Sequence, residues 1–270
     1  MSLDRRQLLK LAVAGGLAAL GGWGVWSIYR PQRSDHRVRL GGLEHPLTLV
    51  QLSDLHLGPY LSAEVASGWV AQTMAVRPDL IVITGDVVDR RFGGDLGALS
   101  ATLAGLSAPL GVWAVWGNHD HGRYRPIAPL ARALTDAGIG ILDNDGVRLR
   151  DDLYLAGVDD LLLGRPDLSA ALRKRPADDR GATLLLSHHP DFLLSLTPDV
   201  SLTLCGHTHG GQIQLPGGVP LYVPAERRFA QGWIGEPALG YVSRGLGVSS
   251  LPLRLNCPPE LVVMGLEPST

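Results

Sequence analysis

The chain has 270 residues, 45% hydrophobic and 19% charged, the composition of a globular body large enough to bury a full core. Its net charge of −2 supplies no basic field, which excludes non-specific binding of long nucleic acid as its main task. Two cysteines, Cys205 and Cys257, are too few for a disulfide framework and lack the paired spacing of a structural zinc site.

At the N-terminus Arg5 and Arg6, followed by Lys10, precede an uncharged stretch from Leu11 to Tyr29. As a helix that stretch would span roughly 28 Å, about one hydrocarbon core. The paired arginines and the dilution of the apolar run by Gly15, Gly16, Gly21 and Gly22 resemble a twin-arginine export signal. No clean small-x-small cleavage site precedes Arg30. Residues 1–30 are therefore expected to remain as a membrane anchor after passage through the twin-arginine machinery. That holds the domain that follows at the periplasmic or extracellular face of the cytoplasmic membrane. The alternative is an anchored domain facing the cytosol, because Arg30, Arg33, Arg37 and Arg39 blur the charge bias across the segment.

Residues 31–46 read as a polar linker and lead-in, and residues 47–270 as one domain. Within it, strands are predicted at Leu47 to Leu52, Leu80 to Thr84, Val112 to Trp116, Leu153 to Val158, Ala182 to Ser187, Ser201 to Cys205 and Leu261 to Leu266. Helices are predicted at Ala63 to Val76, which stops before Pro78, around Leu96 to Leu106, and at Ile127 to Ala137, with Pro126 before it and Gly138 just past it. Beyond Gly210 short segments punctuated by glycine and proline predict a mixed sheet closing an α/β fold.

The polar residues that matter fall just past strand ends. Asp54 and His56 follow the first predicted strand, Asp86 the second and Asn118 the third. His188 follows Ala182 to Ser187, and His207 and His209 follow Ser201 to Cys205. In α/β sheets that rim is where residues remote in sequence converge on one crevice. Carboxylate, amide and imidazole donors without thiolate suit manganese, iron or zinc. Two such ions about 4 Å apart can share a carboxylate, with Asp86 the natural bridge, and activate a water between them. Gly85, Gly117 and Gly206 fit sharp turns with close backbone approach.

The motifs Asp54-Leu55-His56, Gly85-Asp86, Gly117-Asn118-His119-Asp120, Ser187-His188 and Gly206-His207-Thr208-His209 together resemble the calcineurin-like metallophosphoesterases, over most of the chain after Leu47. The resemblance implies a four-layer αββα sandwich with mixed sheets and the metal site at the carboxyl ends of the strands. It also implies two divalent or mixed-valence ions, manganese first, with iron or zinc as alternatives. Asp54, His56, Asp86 and His209 would hold one ion; Asp86, Asn118, His188 and His207 would hold the other. His119 would be a catalytic residue facing the phosphate, with Asp120 orienting it, and His189 would lie at the surface. Arg123, Arg125 and Arg244 are the candidates for substrate phosphate contact.

Gly206 to Gln212 and the tail Tyr241 to Glu260 are further similar to the bacterial YkuE/YaeI-like phosphodiesterases. The activity implied is hydrolysis of a phosphodiester by a metal-bridging hydroxide. Alternatives are a pyrophosphatase acting on a lipid-linked nucleotide such as UDP-diacylglucosamine, a phosphomonoesterase, and a noncatalytic scaffold of the same fold. Specificity is expected to reside in the loops Arg90 to Asp95, His121 to Ile127 and Gln214 to Trp233.

Overall fold

The computed structural model describes residues 21–197 and 199–269. Arg5 and Arg6, on which the export-signal reading rests, lie outside the described residues. Within the described residues no helix is long and apolar enough to cross a membrane.

In chain order the first part contains β1 (Gln32–Leu40), β2 (Leu47–Leu52), α1 (Ala63–Ala75), β3 (Leu80–Thr84), α2 (Leu96–Leu103), β4 (Val112–Val115), α3 (Asn118–Arg123), α4 (Ala128–Asp136) and β5 (Ile139–Ile141). The second part contains β6 (Asp145–Arg150), β7 (Leu153–Gly157), α5 (Leu168–Leu172), β8 (Ala182–Leu186), β9 (Leu202–Cys205), β10 (Gln214–Leu215), β11 (Val219–Pro220), β12 (Gly232–Ile234), β13 (Gly240–Val242) and β14 (Glu260–Pro268). One six-stranded sheet runs β1-β14-β2-β3-β4-β5 and the other runs β12-β13-β9-β8-β7-β6, while β10 and β11 form a separate hairpin. Strands β2 to β5 are parallel, as are β13, β9, β8 and β7; β14 runs antiparallel to β2 and brings the end of the chain into the first sheet.

Side-chain alternation along β2 explains the layering. Leu47 and Leu49 point into a core shared with Leu155, Leu184 and Leu204 of the second sheet, whereas Val50 and Leu52 point into a core shared with α1, α2 and α4. With both faces covered, β3 and β8 are apolar at nearly every position. Helix α1 begins at Ser62, whose hydroxyl accepts from the Val65 amide, and it turns Ala66, Trp69 and Thr73 inward. On the outer face of the second sheet, Ala171 of α5 and Phe192 pack on Tyr154, Ala156 and Leu185. Helices, sheet, sheet and short helices make the four-layer αββα arrangement that the motifs imply. Gln51 ties the sheets together near the site, its amide donating to Thr84 Oγ1 at 3.0 Å and to Cys205 O at 2.9 Å.

The segment expected as a linker is instead strand β1, paired in parallel with β14 along its whole length. Ser34, His36, Val38 and Leu40 face inward while Arg33, Asp35, Arg37 and Arg39 face water, so the polar residues that suggest a linker are the wet face of an edge strand. Strands β5 and β6 and helix α5 were not expected either. Leu40 is 2% exposed in the core between the sheets. Leu40→Ala should lower unfolding stability by about 2–5 kcal/mol in urea titration. A change near zero would mean that the segment behaves as a linker after all.

Candidate metal centre

The loops after β2, β3, β4, β8 and β9 all open at one end of the facing sheets. Asp54, His56, Asp86, His207 and His209 have φ between 45° and 71°, a left-handed conformation that residues with a side chain seldom adopt. Each turns the chain back at once, so that the side chain re-enters the crevice. Two glycines permit the resulting crowding. A Cβ at position 117 would strike the carboxylate of Asp86, and one at position 206 would strike Ser53 and Asp54.

Two donor sets result, and a third grouping of His56, Asp86 and His119 overlaps them. Asp54, His56 and His209 offer ligand atoms within 4.8 Å of one another, and so do Asp86, His188 and His207. In the first set His56 Nε2 lies 3.0 Å from His209 Nε2, and His209 Nε2 lies 3.4 Å from Asp54 Oδ1. Asn118 completes the second, its Oδ1 lying 3.2 Å from His188 Nε2 and 3.0 Å from His207 Nδ1. Asp86 joins them: its Oδ2 is 3.4 Å from His56 Nε2 and 3.3 Å from His188 Nε2. All seven residues expected as ligands therefore lie together at one end of the sheets.

Hydrogen bonds to backbone carbonyls orient two of the imidazoles. A carbonyl can only accept, so Thr84 O, at 2.8 Å, takes the Nδ1–H of His188, and Pro224 O, at 3.2 Å, takes the Nε2–H of His207. The Nδ1 lone pair of His207 then faces the acceptor Asn118 Oδ1. Two acceptors turned on each other repel unless a cation lies between them, so the donor set fits a metal ion. The electrostatics agree. Burial pushes the His207 pKa down to about 2, with the neighbouring His188 and His189 acting in the same direction. Burial would raise the Asp86 pKa, but His188 and His56 outweigh it and hold this carboxyl well below the usual range.

His119 stands at the edge of both sets. Its ring meets that of His56 edge-on at 4.5 Å, and its backbone N–H donates to Asp86 Oδ1 at 2.7 Å. The Arg90 amide donates to its Nδ1 at 3.4 Å, which leaves the hydrogen on Nε2. Burial lowers its pKa to about 4, against the pull of Asp86, so the ring is neutral near pH 7.

Other expected residues fall elsewhere. Asp120 does not orient His119: its fully buried carboxylate accepts from the Val88 and Gly117 amides, at 3.0 Å each, and so fixes the motif's own backbone. His189 is buried rather than superficial, its ring 4.2 Å from that of His207. Arg123 donates to Phe92 O, Arg125 to His121 O, and Arg244 pairs with Glu260 at 3.4 Å. None of the three lines the cavity over the donor sets.

Residues 47–211 match the calcineurin-like phosphoesterases, and the chain belongs to that family. It is thus a phosphoester hydrolase with a metal-binding site. It is 35% identical to YkuE of Bacillus subtilis, named an uncharacterized metallophosphoesterase, over 98% of each chain. It is 30% identical to the phosphodiesterase YaeI of Escherichia coli over 98% of this chain and 99% of that one. Among solved structures, TT1561 of Thermus thermophilus shares the fold, with a TM-score of 0.50 and 13% identity over 75% of this chain and 91% of that one.

Two residues that the motifs do not single out support the site. Arg254, 1% exposed, donates to the carbonyls of Arg244 at 2.7 Å and Gly247 at 2.6 Å, and reaches His209 O at 3.4 Å, so it pins the tail beneath a ligand loop. Its place in the apolar run Leu251 to Leu255 is the one sequence signal it leaves. Asp89 lies between His56 and His119, its Oδ2 3.8 Å from His56 Nδ1 and 3.6 Å from His119 Nδ1, while its Oδ1 receives Arg91 Nε at 2.9 Å. It follows Asp86 by three residues and looks like an ordinary turn aspartate. At 3.8 Å the carboxylate is beyond hydrogen-bond reach of His56 Nδ1, so it supports the ring through its charge, which against the opposing effect of burial raises the His56 pKa. Asp89→Asn should weaken manganese binding by up to about 10-fold in calorimetric titration, the loss of one nearby charge that Arg91 already partly neutralises. Unchanged affinity would remove Asp89 from the support of His56.

Proposed function

We propose that the chain is a dinuclear-metal-dependent phosphodiesterase. The observation that carries this reading is the sharing of Asp86 by two donor sets, with His119 beside them. The YaeI relative, named a phosphodiesterase, supports the choice of diester over monoester. Asp54, His56, Asp86 and His209 would hold one ion, and Asp86, Asn118, His188 and His207 the other. Manganese is the first candidate, with iron and zinc also compatible with oxygen and imidazole donors. When bound, two such ions supply a water of lowered pKa and neutralise charge on the phosphoryl group.

The chain's own groups do the rest. Asn118 and His207, fixed through the Gly117 turn and Pro224 O, hold one edge of the site rigid, so that little reorganisation accompanies reaction. His119 presents Nε2–H toward the cavity and stabilises charge developing on the leaving oxygen by a hydrogen bond. A ring that is neutral near pH 7 suits a hydrogen-bond donor better than a source of protons.

The test is hydrolysis of bis(p-nitrophenyl) phosphate by the full chain with manganese. The full chain is the right protein because Ile28, which precedes the domain, is buried in its core. His119→Ala should lower kcat by about 10²–10⁴-fold with a smaller change in KM, and Asp86→Asn should leave no measurable turnover. No diester hydrolysis by the metal-loaded wild type, or full turnover in either variant, would refute the reading.

A further inference from the structure

A cavity of about 570 Å³ opens over the metal centre, with Asp86, Asn118, His119, His207 and His209 in its floor. Its outer wall is made by Leu162, Ile213, Tyr222 and Leu251. Three of these are far more exposed than apolar side chains of a core: Leu162 at 53%, Tyr222 at 72% and Leu251 at 56%. Their chain neighbours Leu161, Leu163 and Leu221 are exposed as well. Single exposed leucines are ordinary, but a group of them on the lip of the cavity that holds the reactive centre marks a surface with an occupant.

The charge of the lining narrows what the occupant is. Among the described residues no lysine or arginine lines the cavity, and the arginines expected to serve there are engaged elsewhere. A nucleotide or a pyrophosphate would bring further negative charge past the metal centre with no guanidinium or ammonium to receive it. An aliphatic chain needs none.

The N-terminal segment docks on the chain that continues from this wall. Arg254 N–H donates to Gly24 O at 3.1 Å, and Ser27 Oγ donates to Arg254 O at 2.9 Å. Residue 24 packs so closely on Leu253 and Leu255 that a Cβ there would collide with Leu253. The strap 249–255 therefore carries Leu251 and Ser249 in the cavity wall and, a few residues on, the seat of residues 24–27. On that segment Trp23, Trp26 and Tyr29 are exposed at 60%, 45% and 46%, with the two indoles 4.9 Å apart. Exposed tryptophan and tyrosine are the side chains that settle at a bilayer interface.

We propose that the substrate is an amphiphilic phosphoester of the membrane, its phosphate on the metal centre and its aliphatic chain along the groove of Leu162, Ile213, Tyr222 and Leu251. This assignment rests on the phosphoesterase reading and names its substrate class. Leu251 of the groove and the seat of the aromatic N-terminal segment lie on one strap, which places the groove's mouth on the side of the molecule that carries Trp23 and Trp26.

The test measures binding rather than turnover. Methyl-, hexyl- and decylphosphonate are titrated into the manganese-loaded full chain in lipid nanodiscs, and uptake by protein-free nanodiscs is subtracted. Affinity should rise on the order of 100-fold from the methyl to the decyl compound, the gain expected from burying a few methylenes. That ratio should fall to less than about tenfold in Leu162→Ser/Leu251→Ser. It should persist in Leu215→Ser, which alters an equally exposed leucine outside the cavity. Equal affinity across the series, or a rise untouched by the double substitution, would overturn the groove. Hydrolysis of methyl p-nitrophenyl phosphate in the same preparation separates the two readings. Turnover with chain-independent binding leaves the phosphodiesterase standing and removes the groove, whereas chain-dependent binding without turnover does the opposite.

Discussion

The carboxylate of Asp86 has to face two sets of donors at once, and much of the molecule is arranged so that it can. It leaves the end of β3, a strand with two parallel neighbours, and stands between His56 from the β2 loop and His188 from the β8 loop. Those two histidines belong to different sheets. The sandwich must therefore close with its rims in register, and the shared core of Leu49, Val82, Leu184 and Leu204 holds it there. Close-packed interiors have few alternative arrangements, so apolar packing between the sheets fixes the position of polar atoms at their ends.

Such convergence is costly. Five ligand residues sit at positive φ, and residues held in that region are strained by about 1 kcal/mol or more each. Asp54 and Asp86 are removed from water, and burial alone raises the pKa of each. The surrounding structure over-determines the geometry in return. The Asp120 carboxylate holds two backbone amides of the neighbouring turns, Ser53 Oγ donates to Asp54 Oδ2 at 2.6 Å, and the His207 amide donates to the same carboxylate at 3.0 and 3.1 Å. Cations between the donor sets would relieve the remaining lone-pair and carboxylate repulsion, and metal binding would then be coupled to the stability of this end of the fold.

The core strands were legible because parallel strands covered on both faces leave unbroken apolar runs, as in Leu80 to Thr84 and Ala182 to Leu186. The ligand set was legible for a related reason: five polar motifs follow such runs. Edge elements left no comparable mark. Strand β1 alternates charged and inward residues with only Val38 and Leu40 apolar, and its pairing with β14 joins segments more than two hundred residues apart. Supporting residues were hidden for another reason. Asp89 and Arg254 act through contacts that depend on where two loops meet, and nothing in their immediate neighbours encodes that meeting. The loops expected to set specificity fared unevenly: Tyr222 and Pro224 of Gln214 to Trp233 do line the cavity, but Leu162 comes from a stretch with no motif, and Leu251 from a tail whose resemblance pointed to Arg244 instead.

The proposed function turns on two cations sharing one carboxylate, so the most direct measurement is metal stoichiometry. Elemental analysis of the full chain after dialysis against manganese should find two ions per chain in the wild type. Asp86→Asn should retain one or none, and Asn118→Ala, which touches only the second donor set, should retain one. A wild type that saturates at a single ion, or an Asp86→Asn variant that still binds two, would contradict the dinuclear centre.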